Sequence, residues 1–211
     1  MNLYFDIETR KAPGFIVDRS AIKAPGNVKD PAKIAAAIEK KAKEQEEKAG
    51  LNSFHAAICS IAWAFDDGHV FECTGINEEH LLIAFEDSIK AKLEKSSDIS
   101  PTWIGHNIIN FDLDFLHHRA IKYKLTFLKA ILPDSGRSPF IFDTMEHISP
   151  TIWKPLISLK NACAYFGIKT PKGDIDGSKV QSYFDAGKLK EIGDYCKEDV
   201  RAERELYYLL K

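Results

Sequence analysis

Asn2-Leu3-Tyr4-Phe5-Asp6-Ile7-Glu8 opens the chain and decides how the rest is read. Residues 3–7 are apolar and β-rich, so they predict a buried first strand that carries two acids. Side chains at i and i+2 of a strand leave the same face, so the carboxylates of Asp6 and Glu8 point together. Unit charges ~4 Å apart repel by about 4 kcal/mol at an effective dielectric of 20. A fold keeps such a pair when a cation relieves it, and hard carboxylate oxygens suit Mg²⁺ or Mn²⁺. Taken alone, two acids near an exposed strand end give the same pattern. Here, however, it is the only Asp-x-Glu in the chain.

A long polar excursion follows, from Arg10 to about Asn52. Asp30-Pro31 has the form of an N-cap with a first-turn proline, and Gly50 the form of a C-cap. Between them Glu39/Lys43 and Glu44/Lys48 stand in the favourable i,i+4 order, and the apolar face is thin, Ile34 and Ile38. Seven lysines (23, 29, 33, 40, 41, 43, 48) against five acids (30, 39, 44, 46, 47) leave +2. That balance describes a solvated helical arm over the fold, with a substrate flap as the alternative.

Beyond it the spacing predicts a second strand over Ala56–Phe65, a hairpin at Asp66-Asp67-Gly68 and a returning strand over 70–73. A helix over 78–95 carries Leu81, Leu82, Phe85, Ile89 and Leu93 on one stripe. Then come a short strand at Thr102–Gly105, a helix over 110–123, a Gly/Ser/Pro loop over 133–139 and a short strand at Ile141–Asp143. Helices over 156–166 and 179–185, separated by a loop over 167–178, precede a final helix over Leu189–Leu210. The expectation is an α/β protein: a mixed sheet of three antiparallel strands followed by parallel strands, flanked by helices. This layout is compatible with a ribonuclease-H-like fold, which element order alone does not select.

Two further acidic motifs follow. Asn107-Ile108-Ile109-Asn110-Phe111-Asp112 spans a strand-to-helix junction, where ligand sites gather in α/β sheets. Tyr195-Cys196-Lys197-Glu198-Asp199, in the last helix, sets Tyr195 and Asp199 one turn apart on one face, and is the chain's only Tyr-x-x-x-Asp. Singly, Asn107 reads as a turn residue, Phe111 and Tyr195 as core, and Asp199 as surface.

Together and in this order, the three motifs resemble those of the DEDDy 3′–5′ exonucleases. More narrowly, the chain resembles the predicted 3′–5′ exonucleases related to the proofreading domain of family-B DNA polymerases. Gly105-His106-Asn107, Arg119-Ala120, Asp143-Thr144-Met145, Ser158-Leu159-Lys160 and Asp176-Gly177-Ser178 add to this likeness, which covers residue 2 to the end except most of 10–55. Relatives often carry a proline two residues after the second-motif aspartate; here Asp114 stands there. The histidine subclass has its base five residues before the last aspartate, a position held here by Asp194.

The resemblance implies a ribonuclease-H-like fold and hydrolysis from a free 3′ end to nucleoside 5′-monophosphates, with single-stranded DNA the leading substrate. It implies that Asp6, Glu8, Asp112 and Asp199 hold two divalent cations, Mg²⁺ or Mn²⁺, with Asp6 bridging. A phenol of ordinary pKa about 10 stays protonated at neutral pH, so Tyr195 orients the nucleophilic water. Thr9, His106, Asn107, Phe111, Phe115 and Arg119 are the implied substrate contacts, among them a hydroxyl (Thr9), a stacking or wedging ring (Phe115) and a phosphate partner (Arg119). His117-His118 reads as a surface pair, since adjacent residues on a helix diverge. Lys154, Lys160, Lys169, Lys172 and Lys179 are candidates for a basic rim. The alternatives are an inactive nucleic-acid-binding relative and a phosphodiesterase of short oligonucleotides or RNA.

Composition sets the bounds. Hydrophobic residues at 45% and charged residues at 28% over 211 residues are the proportions of a soluble globular protein, expected here as one exonuclease domain spanning 1–211 without an appended polymerase. Lys+Arg of 29 against Asp+Glu of 31 gives −2, which excludes bulk basic charge as a means of holding nucleic acid. Assigning four acids to cations leaves +2 for the remainder. No apolar run approaches the ~20 residues of a membrane span. The opening strand does not read as a signal peptide, and four scattered cysteines without a Cys-x-x-Cys read as free thiols, so a cytoplasmic protein is expected.

Overall fold

A computed structural model describes residues 1–134, 136–149, 157–169 and 175–211. Strand β1 (Asn2–Lys11) is the middle of a five-stranded sheet; β2 (Ala56–Phe65) and β3 (Val70–Thr74) follow on one side, β4 (Thr102–Gly105) and β5 (Ile141–Asp143) on the other. β1, β2 and β3 pair antiparallel, while β4 and β5 join parallel. This is the mixed α/β sheet of the ribonuclease-H-like fold. β1 outlasts its apolar run because Arg10 and Lys11 keep pairing with Ala57 and Ala56, and the Arg10 guanidinium packs 4.2 Å over the Phe184 ring. The excursion therefore begins after Lys11.

Helices α1 (Pro31–Glu47), α2 (Glu78–Leu93), α3 (Asp112–Lys122), α4 (Thr126–Ile131), α5 (Thr144–Ile148), α6 (Leu159–Phe166), α7 (Val180–Asp185) and α8 (Leu189–Leu210), with three short 3₁₀ turns, complete the described elements. One sheet face packs Leu3, Phe5 and Ile7 with Phe85 of α2 and with Leu113, Phe115 and Leu116 of α3. The other packs Tyr4, Ala62 and Ile104 against Cys196, Val200 and Tyr207 of α8. Alternation along β1 sends Asp6 and Glu8 toward the α8 side, which is how the first and third acidic motifs meet.

Several local expectations change. α1 does begin on Asp30, whose carboxylate accepts the Ala32 N–H at 2.9 Å. It ends before Gly50, which lies in a short 3₁₀ turn whose carbonyl accepts the Thr9 hydroxyl at 2.6 Å. Glu39 pairs with Arg19 at 3.0 Å instead of Lys43, because the chain before α1 folds back beside it, and within the helix Glu44 pairs with Lys40 at 4.0 Å instead of Lys48. Val17 and Ile22 from that segment bury Ala42, so the arm has its own small apolar seat. α4 and α5 were not expected. Ser135 of the 133–139 loop, Leu156 at the expected helix start, residues 170–174 of the 167–178 loop, and the rim candidates Lys154 and Lys172 lie outside the described residues.

A buried ion pair fastens the end of the excursion to the sheet. Glu78, at the start of α2, meets the Arg119 Nε–H and accepts the Ile58 N–H and the Tyr123 hydroxyl, each at 2.7 Å. Arg119 donates in turn to the carbonyls of Ser53 and Ala56, each at 2.6 Å. The four cysteines are free, and three of them are buried. Among the described residues no helix is long and apolar enough to cross a membrane.

Candidate metal centre and active site

Asp6, Glu8 and Asp199 each place a carboxylate oxygen within 4.8 Å of the others, two from β1 and one from α8. Next to them the β1–β2 register slips between Glu8 and Thr9, leaving Cys59 unpaired on β2. Such bulges re-aim side chains beside sites. One Asp6 oxygen, Oδ2, is buried and has no hydrogen-bond partner among the described residues. Burial first, then the charges of Glu8, Glu203, Asp112 and Asp199, pushes the Asp6 carboxyl far above the carboxylate range. Glu8 is raised by burial and then by Asp199 and Asp112. Asp199 is pushed up to about 7, mainly by burial, although the Tyr195 hydroxyl donates to it and pulls the other way.

The basic side chains of this stretch of α8 are committed elsewhere: Lys197 pairs with Asp194 at 2.9 Å and Glu72 at 3.8 Å, and Arg201 pairs with Glu198. An orphaned buried carboxylate oxygen in an all-oxygen cluster is the donor set that a hard divalent cation fits. Tyr195 is held protonated by burial and then by the charges of Asp199, Glu8 and Asp6.

Asp112 stands beside this trio rather than within it. Its Oδ1 accepts the Ile7 N–H at 3.1 Å, at the edge of β1 just past the β4 pairing, which stops at Tyr4. Burial lifts its carboxyl to about 7, against the pull of that N–H. The turn leading to Asp112 is tightly held. Asp143 accepts the N–H groups of Asn107 at 2.9 Å and Ile109 at 3.1 Å, and the left-handed φ of 65° at Asn107 is one that asparagine tolerates. Glu203 Oε1 accepts the His106 N–H at 2.9 Å, and the His106 ring bridges Thr144 Oγ1 at 2.9 Å and the Ile157 carbonyl at 2.7 Å.

Glu203 and Asp143 are thus site residues that the motifs did not supply. Glu203 is buried, its Oε2 without a partner among the described residues, and burial followed by the charges of Asp112 and Asp199 raises its carboxyl well above normal. Its signal was available, since Tyr195, Asp199 and Glu203 recur every four residues on one helix face.

The expected substrate contacts separate. Phe115 is 1% exposed and Arg119 4% exposed, with its donors taken by Glu78, Ser53 and Ala56. Neither is open to a nucleotide; both brace α3. His106 and Asn107 spend the groups described above on the turn, although Asn107 Oδ1 also accepts from Asn110 at 3.1 Å. Thr9 and Phe111 are half-buried beside the acids, Thr9 with its hydroxyl given to Gly50 and Phe111 with its ring 4.9 Å from Phe115. His117 and His118 are likewise half-buried rather than a surface pair, bonded to the Pro133 carbonyl at 2.9 Å and to Ser53 Oγ at 2.8 Å.

A ribonuclease-H-like sheet with clustered acids at β1 and the last helix defines a nuclease-type fold. The chain belongs to the family of predicted 3′–5′ exonucleases related to the exonuclease domain of PolB, whose pattern matches residues 51–209. That match begins at the end of the excursion, so Asp6 and Glu8 stand outside it. The family B DNA polymerase of the hyperthermophilic archaeon Pyrobaculum calidifontis is similar in structure, with a TM-score of 0.61 and 19% identity over 99% of this chain. This chain spans 24% of that polymerase's length. No curated protein matches the chain in sequence.

Proposed function

We propose that residues 1–211 act as one metal-dependent 3′–5′ exonuclease domain that releases nucleoside 5′-monophosphates from the free 3′ end of nucleic acid, single-stranded DNA foremost. The observation that carries this reading is the convergence of Asp6, Glu8 and Asp199 oxygens within 4.8 Å, with Tyr195 one helical turn before Asp199. Such a cluster pays a heavy electrostatic cost, which divalent cations offset.

Asp6, Glu8 and Asp199, with Asp112 alongside, are the residues to hold the cations. When bound, divalent cations would supply Lewis acidity toward a phosphodiester and toward the oxygens that attack and leave it. The protein's own part is positioning. Tyr195 keeps its proton, so its hydroxyl orients a water instead of deprotonating it. Asp199 fixes that hydroxyl, and Asp143 and Glu203 fix the turn that presents Asp112. Asp199→Ala is expected to abolish Mg²⁺- or Mn²⁺-dependent release of mononucleotides while circular dichroism stays that of the wild type. Degradation that continues unchanged in a clean preparation of the variant would refute the assignment.

A further inference from the structure

Phe54 sits in the segment that returns from the excursion to β2, and it is 75% exposed. Its ring is nonetheless fixed from below: it rests on His118 of α3 with centroids 4.4 Å apart and planes tilted by 42°. The flanking backbone is pinned as well. The Phe54 N–H donates to Asn52 Oδ1 at 2.9 Å, and the Ser53 carbonyl accepts from Arg119 at 2.6 Å. Buried Ser53 also gives its hydroxyl to Asp114 Oδ2 at 2.7 Å, with His118 Nδ1 at 2.8 Å. Asp114, the residue that departs from the resemblance, is thus an anchor for this segment. The result is an aromatic ring with one face seated and the other open.

Its place relates it to the carboxylates. His118 lies six residues beyond Asp112, ~9 Å along the helix axis. Phe54 precedes Ala56, which pairs with Lys11, and the strand from Glu8 to Lys11 spans ~10 Å. Both routes leave Phe54 near the C-terminal end of β1 on the α3 side of the sheet, with Asp112 at the start of the same helix. The exposed half of Asp114 disfavours a phosphate next to it, whereas the flat face of a base meets no such penalty.

We propose that Phe54 is a stacking platform for one unpaired base of the substrate strand, a role that the buried Phe115 does not fill. The inference rests on nucleic acid being the substrate. A base must leave a duplex to stack there, so the platform favours single strands and reads no sequence.

The test is fluorescence anisotropy of 5′-labelled oligothymidylate with the intact protein in Ca²⁺, comparing wild type, Phe54→Ala, Phe54→Leu and Phe54→Trp, all checked for fold by thermal midpoint. Stacking of one base predicts that Phe54→Ala weakens binding by roughly 5- to 150-fold, that leucine does not restore it and that tryptophan does. A set of strands with one abasic position moved back from the 3′ end should contain one on which wild type and Phe54→Ala bind alike. Equal binding of wild type and Phe54→Ala to the intact strand overturns the platform while leaving the exonuclease reading in place. So does a loss that leucine repairs, or one that is the same on every abasic strand. A wild-type protein that binds no strand overturns both.

Discussion

Replacing Asp199 with asparagine is expected to stabilise the cation-free protein, the reverse of what loss of a buried polar contact normally does. The Asp199 carboxyl is pushed from its ordinary 3.8 to about 7, chiefly by burial. A carboxyl raised in this way contributes stability below about pH 4, and that contribution is lost as pH rises through 7. A shift of about three units corresponds to about 4 kcal/mol for the ionised form, and sharing the repulsion among coupled acids leaves roughly 2–4 kcal/mol to be relieved by Asn. In a chain of this size 1 kcal/mol moves the midpoint by roughly 2–4 °C, so melting in EDTA at about pH 8 should rise by roughly 4–15 °C. At about pH 5 the carboxyl is protonated in the folded protein but ionised in the unfolded chain, so the difference should shrink to roughly a third, and it should vanish below about pH 4. Adding Mn²⁺ at pH 8 should raise the wild-type midpoint and leave the variant nearly unmoved. A variant that melts below wild type in EDTA at pH 8, or a difference independent of pH, would refute the view of this cluster as a strained cation seat.

Three other outcomes follow from the same geometry. Tyr195→Phe should cut the rate on the order of 10²-fold through a misplaced water, with Mn²⁺ affinity by calorimetry nearly unchanged; wild-type turnover would remove its orienting role. Arg119→Met leaves buried Glu78 with Lys122, at 3.1 Å, as its remaining cationic partner, and should cost about 1–3 kcal/mol in urea unfolding; a loss below about 0.5 kcal/mol would show the pair is not a brace. Gly105→Ala would set a Cβ 2.9 Å from the Phe5 carbonyl and hard against Ile108. It should lose about 1–3 kcal/mol and weaken cation binding by displacing the turn before Asp112, and neutrality on both counts would contradict that coupling.

The elements readable in advance are those whose signal is local. β2, with its Asp-Asp-Gly turn, and α8 fall where hairpin chemistry and helical spacing put them. α5 was missed because its start depends on the Asp143 side chain accepting the Met145 N–H at 3.0 Å, and α4 because six residues carry little periodicity. At the site, strand alternation pairs Asp6 with Glu8 and helical spacing pairs Tyr195 with Asp199, but choosing them as one site took the resemblance of the three motifs in their order. The same signals were not enough for Phe115 and Arg119. Helical spacing shows which residues share a face with Asp112, but the direction of that face is decided by Glu78, forty-one positions before Arg119. The cost of burying a guanidinium is met by a partner that no local window contains.

The central claim is tested most directly by incubating 5′-labelled single-stranded DNA, duplex DNA and RNA with the protein and Mg²⁺ or Mn²⁺, then resolving the products by length. Expected is a ladder that shortens step by step from the 3′ end, fastest on single-stranded DNA, and that disappears with EDTA. Internal cuts, cleavage confined to dinucleotides, or no cation-dependent shortening of any strand would contradict it.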